Sequence, residues 1–146
     1  MITGNVDILL VEDKRSDAEM TIRAIRKNSA ASVIVHLKDG KQAVDFLFGK
    51  GEYAGRDTNQ KPKVILMDLK MPKLTGVEVL KIIKADELTK KIPVVVLTSS
   101  KEDPDIEQCY LLGVNSYIVK PIAIDDFIKV VSDLGLYWTL HNQITQ

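Results

Sequence analysis

Four short apolar runs in this chain each stop on a group that can do chemistry. Val6–Val11 stops on Glu12-Asp13, Lys63–Met67 on Asp68, Pro93–Leu97 on Thr98, and Ser116–Val119 on Lys120-Pro121. Brought together, Glu12, Asp13 and Asp68 would be crowded carboxylates, and without a counter-charge their repulsion would raise at least one pKa. A hard divalent cation relieves that crowding. Mg²⁺ takes oxygen ligands, keeps several waters and is often completed by phosphate. Asp68 is the central carboxylate, and an aspartate can accept a phosphoryl group as an acyl phosphate. Charge then builds on the equatorial phosphoryl oxygens and calls for cations and donors around them. Lys120 supplies a cation, Thr98 a hydroxyl and Mg²⁺ the remainder. Taken singly, each residue has a plainer reading: Asp68 as a polar end to a strand, Lys120 as a solvated lysine, Thr98 as a loop start.

These residues lie more than a hundred positions apart, so the elements between them must bring them to one place. The spacing predicts strands at Val6–Val11, Ser32–Leu37, Lys63–Met67, Pro93–Leu97 and Ser116–Val119. Between them run helix-period segments: Arg15–Lys27, with Ser16 or Asp17 as N-cap, then Lys41–Phe48 opened by Asp39. Gly76 to about Asp86 follows, capped by Thr75, then Asp103–Leu112 ended by Gly113, and finally Ile124–Leu134. Gly49–Pro62 is polar and Gly-rich and reads as a loop. The strands are continuously apolar rather than alternating, which marks a sheet buried on both faces. Strand–helix alternation with right-handed crossovers gives an α/β, doubly wound parallel sheet. In such a sheet ligands bind beyond the carboxyl ends of the strands, near the switch in strand order.

The 146-residue length fits a single domain, residues 1–146, with a core at about 5–134 and a tail at 135–146. Twenty basic residues balance twenty acidic ones, so no global field favours nucleic acid or a membrane surface. The longest apolar stretches are too short to cross a bilayer, and the N-terminus lacks a signal-peptide pattern. Cys109 is alone and reads as a small buried residue. A cytoplasmic location is expected.

The set Glu12-Asp13, Asp68, Thr98 and Lys120-Pro121, with Met71-Pro72 and Gly76 after the central Asp, resembles the receiver domain of two-component response regulators. The resemblance covers roughly residues 5 to 134. It implies a flavodoxin-like strand order, 2-1-3-4-5, and a Mg²⁺-dependent phosphoryl transfer from a sensor histidine kinase to Asp68. By resemblance, Asp13, Asp68 and the backbone carbonyl of Lys70 would bind the metal, and Glu12 would hold a metal-bound water. Lys120 would pair with the phosphate or with Asp68, Thr98 would swing inward, Tyr117 would follow by changing rotamer, and Lys120–Pro121 would be cis. Such a protein catalyses only its own phosphorylation and dephosphorylation.

Glu12 stands where many receivers have Asp, and the stretch before Asp68 is longer than in chemotaxis-type receivers. That long loop, with Phe46-Leu47-Phe48-Gly49, Tyr53 and a tail bearing Leu136-Tyr137-Trp138, resembles the stand-alone phytochrome-associated response regulators. A phytochrome-type kinase is then the implied partner. A homodimer through the fourth helix, fifth strand, fifth helix and tail is expected, because apolar Leu134, Leu136, Tyr137, Trp138 and Leu140 need cover. A phosphatase with an aspartyl-phosphate intermediate would carry a second Asp two positions after the nucleophile, where this chain has Lys70. A receiver that had lost phosphorylation would lack an acid or the lysine, and all are present.

Overall fold

The structure, a computed structural model, describes residues 5–136. Five strands, β1 (Ile8–Val11), β2 (Ile34–Leu37), β3 (Val64–Asp68), β4 (Val94–Thr98) and β5 (Ser116–Val119), form one parallel sheet. Its order is β2-β1-β3-β4-β5, so the chain reverses direction across the sheet between β1 and β3. The helices are α1 (Arg15–Arg26), α2 (Gly40–Phe48), α3 (Gly76–Ala85), α4 (Asp105–Leu111) and α5 (Ile124–Asp133).

The continuous apolar strands serve two cores because successive side chains point to opposite faces. Along β3, Val64 and Leu66 pack with Ala18, Ala24 and Ile25 of α1 and Phe127, Val130 and Val131 of α5. Ile65 and Met67 pack on the other face with Phe46 and Leu47 of α2, Val79, Leu80 and Ile83 of α3, and Ile106 and Cys109 of α4. Cys109 is fully buried, as expected.

Register carries the chemistry to one end. Val11 lies beside Met67, Asp68 beside Leu97, and Thr98 beside Val119. The next residues, Glu12, Asp13 and Lys120, therefore leave the sheet alongside Asp68 and Thr98. Gly76 opens α3 directly against this end: a Cβ there would lie 2.5 Å from the Asp68 carbonyl oxygen and 2.8 Å from Leu69 Cα. Only glycine lets the helix start so close to the backbone that bears Asp68. Thr75 caps α3 in a reciprocal box with Glu78, and Asp39 caps α2 by accepting from the Gln42 N–H.

Three sequence expectations change. The N-cap of α1 is Lys14, with no side-chain cap, because Asp17 faces a lysine instead. Helix α4 begins at Asp105, two residues late, because Asp103 folds back to accept the Asp105 N–H. The Gly49–Pro62 segment is not a plain loop. It holds a 3-10 turn, Gly51–Tyr53, and Arg56 lies 3.9 Å over the Phe46 ring while donating to the carbonyls of Phe46 and Gln60. The Tyr53 ring meets Phe46 edge-on. The expected roles of Tyr137, Trp138 and Leu140 lie outside the described residues.

Candidate functional site

The carboxylates of Glu12, Asp13 and Asp68 converge at the carboxyl ends of β1 and β3, one oxygen from each lying within 4.8 Å of the others. Glu12 is fully buried, Asp68 nearly so, and Asp13 is exposed at the rim. Lys120 enters from the end of β5 after a cis Lys120–Pro121 bond. Its ammonium sits 2.9 Å from Glu12 Oε1, 3.0 Å from Asp17 Oδ2 and 3.3 Å from Asp68 Oδ2. An ammonium has three N–H donors, so this arrangement uses all of them. Asp68 Oδ1 is approached by the Lys70 backbone N–H at 3.3 Å.

Burial pushes the Glu12 carboxyl up to about 7, reinforced by its hydrogen bond with Asp68 and opposed by Lys120 and the Lys14 N–H. Burial by itself would lower the Lys120 ammonium; its hydrogen bonds to Glu12 and Asp17 and the charge of Asp68 outweigh that and hold it above its ordinary value. Lys120 is therefore a fixed cation at any ordinary pH, while the acids around it outnumber it. The donor set is oxygen only and in charge excess, which suits a hard divalent cation rather than a soft one.

The side chains of the remaining expected residues turn to partners other than Asp68. Thr98 ends β4 buried, and its hydroxyl is turned into its own loop, donating to Ser100 O at 3.0 Å with Asp103 Oδ2 at 3.4 Å. Lys70 sends its side chain outward to Asp105 Oδ2 at 3.1 Å, a hydrogen bond that raises its pKa. Tyr117 is half-buried on β5, its ring edge-on to Tyr110 with centroids 6.3 Å apart.

Sequence reasoning missed Asp17 as a partner of Lys120, Asp103 and Asp105 as partners of Thr98 and Lys70, and His36. His36 Nε2 lies 2.8 Å from the Glu12 carbonyl oxygen, which can only accept, so the ring donates there. His36 has no metal-ligand spacing in the sequence, and here it fixes backbone rather than offering a ligand. Asp17 carried a signal: an acid in the first turn of the helix that leaves the Glu12-Asp13 pair.

An open parallel sheet with an acidic, lysine-paired cluster beyond its central strand, at the switch in strand order, defines a doubly wound α/β domain with its ligand site at the carboxyl ends of the strands. Comparison with known proteins narrows it. The family model described as response regulator receiver domain matches residues 8–132, and the chain belongs to that family. The Synechocystis protein "Response regulator Rcp1" is 37% identical over 131 residues, covering 90% of this chain and 87% of that protein. A "Probable methanogenesis regulatory protein FilR2" of Methanothrix harundinacea is 41% identical, covering 90% of this chain and 82% of that protein. Among solved structures, the bacteriophytochrome response regulator AtBRR superposes with a TM-score of 0.83 at 43% identity, covering 93% of this chain and 96% of that one. The Mn²⁺-bound form of Rcp1 superposes with a TM-score of 0.72 at 38% identity, covering 91% and 94%. The chain is thus a two-component receiver of the CheY-like fold, similar to phytochrome-associated response regulators. The general partner of such a family is a histidine kinase.

Proposed function

We propose that this protein accepts a phosphoryl group on Asp68 from a sensor histidine kinase, in a Mg²⁺-dependent reaction, and changes conformation to signal. The observation that carries the reading is the position of Asp68: end of the central strand, Lys120 ammonium at 3.3 Å, and Glu12 and Asp13 carboxylates alongside. An Asp68 carboxylate oxygen forms the new P–O bond as the P–N bond of the donor phosphohistidine breaks. The departing imidazole nitrogen takes up a proton. Asp13, Asp68 and the Lys70 carbonyl would hold the cation, with Glu12 behind a bound water, and the cation supplies charge neutralisation to the transferring group. Lys120 holds its charge toward the phosphoryl oxygens.

Thr98 and Tyr117 are the proposed switch pair. The Thr98 hydroxyl would leave Ser100 and Asp103 for a phosphoryl oxygen, and Tyr117 would move into the space vacated beside β5. Similarity to bacteriophytochrome and phytochrome response regulators supports a phytochrome-type kinase as donor. The exposed Tyr110 and Leu111 of α4 support homodimerisation through α4, β5 and α5. We read the chain as one receiver unit working in the cytoplasm, with no nucleic-acid or membrane role of its own.

The test is labelling by acetyl phosphate with Mg²⁺. The parent is expected to gain one phosphate, labile to alkali and released by hydroxylamine. Asp68→Asn is expected to gain none, and labelling of that variant at parental stoichiometry would sink the assignment.

A further inference from the structure

Among the described partners of Lys120, Asp17 is the one that a helix carries. Glu12 and Asp68 are buried and belong to the metal-sized acidic cluster; Asp17 stands outside that cluster, in the first turn of α1, with its side chain 31% exposed. It nevertheless holds the ammonium at 3.0 Å, as tightly as Glu12 does at 2.9 Å and more closely than Asp68 at 3.3 Å. A cleft of about 250 Å³ between α1 and the end of β5, lined by Lys14, Asp17, Met20, Thr21, Ser99, Lys120 and Pro121, opens onto this contact.

The consequence follows from charge. A lysine between two buried carboxylates is a built-in competitor for any cation those carboxylates would bind. Every fraction of its charge taken up elsewhere leaves the cluster more negative. Asp17 takes one of the three N–H donors of the ammonium and so shares its charge with Glu12 and Asp68. Without Asp17, one N–H is freed and the flexible lysine stem lets the ammonium settle more deeply between the two cluster acids. We propose that Asp17 is a positioning residue that takes up part of the Lys120 charge, limits how deeply the ammonium settles between Glu12 and Asp68, and so raises the affinity of the acidic cluster for a divalent cation. This rests on the metal reading of the site given above and deepens it.

The experiment measures Mg²⁺ affinity of the full chain by titration calorimetry at fixed ionic strength, with folding checked by far-UV circular dichroism. Asp17→Asn is expected to weaken binding about five- to tenfold, in the range of coupling between charged residues in contact. Asp17→Glu, which keeps a carboxylate on the same helix face, is expected to restore affinity to within about twofold of the parent. Lys120→Met is expected to bind Mg²⁺ several-fold more tightly than the parent. In that background, or in Lys120→Ala should the Met variant fold poorly, Asp17→Asn is expected to lose its effect. Equal weakening with and without Lys120 would mean that Asp17 acts only as a distant negative charge, and the inference would fall. It would fall equally if Asp17→Asn bound like the parent, if Asp17→Glu failed to restore binding, or if removing Lys120 did not tighten it. A parent that bound no Mg²⁺ would instead remove the reading of the site itself.

Discussion

Replacing Glu12 by Gln in metal-free protein gives a change in stability whose sign and pH window the structure dictates. Glu12 is fully buried, and burial raises its carboxyl from an ordinary 4.5 to about 7. The folded chain therefore holds that proton more tightly than the unfolded chain does. Its contribution to stability is complete below pH 4.5 and is lost as the pH rises through about 7, because ionisation favours the unfolded state. A displacement of that size is worth about 3 kcal/mol between pH 4 and pH 8. Gln has no proton to lose, so in a chelating buffer the stability of Glu12→Gln relative to the parent should climb by about 3 kcal/mol over that range. Groups that do not touch Glu12 cancel in the difference, while Asp68 and Lys120, which do, respond together with it. Urea unfolding followed by far-UV circular dichroism reads it directly. With a slope of about 2 kcal/mol per molar, the two midpoints should separate by about 1.5 M more at pH 8 than at pH 4. Saturating Mg²⁺ should then favour the parent, by about 2.7 kcal/mol at a hundredfold excess over its Kd, and the variant less. Parallel pH curves for the two chains in chelator would refute the idea that Glu12 is held against its ionisation.

Other substitutions test the frame around the site. Gly76→Ala should destabilise by about 1–3 kcal/mol in urea despite the better helix propensity of Ala, because its Cβ meets the backbone of Asp68 and Leu69, which cannot swing aside. Burial pushes the Cys109 thiol up to about 11, so stability should decline as pH rises from its ordinary value of 9.0 toward 11. Maleimide labelling of Cys109 at pH 8 should proceed only as fast as the chain opens; rapid labelling would contradict its burial. Arg56→Ala should loosen the segment before β3, losing about 1–2 kcal/mol through the missing ring contact and carbonyl bonds. Faster amide exchange from Gly51 to Gln60 is the accompanying readout, and unchanged exchange there would count against the clamp.

The sheet was legible because its three central strands, β1, β3 and β4, are nearly continuous apolar runs, a pattern that a layer covered on both sides explains. Asp68, Glu12, Asp13, Thr98 and Lys120 were legible as a group because each follows such a run, and parallel register puts all their ends together. The contacts among them were not. Whether Lys120 meets Asp17 depends on how α1 packs beside α5, and nothing local in the sequence records an ion pair between residues 103 positions apart. The ordering of the Gly49–Pro62 segment escaped for a similar reason. Its glycines announce turns, but Arg56 finds its partner in the ring and carbonyl of Phe46 on α2, a pairing set by tertiary structure rather than by composition.

The missed contacts also explain how a local charge could be felt at a distance. The segment that begins α4 is tied to the site by two polar links: the Thr98 hydroxyl near Asp103, and the Lys70 ammonium on Asp105. Both links end on acids that lie within the α4 cap and first turn, and both start on residues that flank the proposed phosphoacceptor. A phosphoryl group on Asp68 adds negative charge and new acceptor oxygens. It would compete with Asp103 for the Thr98 hydroxyl and with Asp105 for the Lys70 ammonium. The two competitions act in the same direction, each freeing the start of α4 from the sheet end. Helix α4 is suited to respond: it is short, its N-cap residue Pro104 has no side-chain bond to give, and the side chain that accepts from its first N–H is Asp103, the same acid that the Thr98 hydroxyl approaches. A chain in which Asp103 and Asp105 were both replaced by Ala should therefore show the α4 rearrangement without phosphate. Phosphorylation of that chain should then change the amide chemical shifts of α4 far less than in the parent.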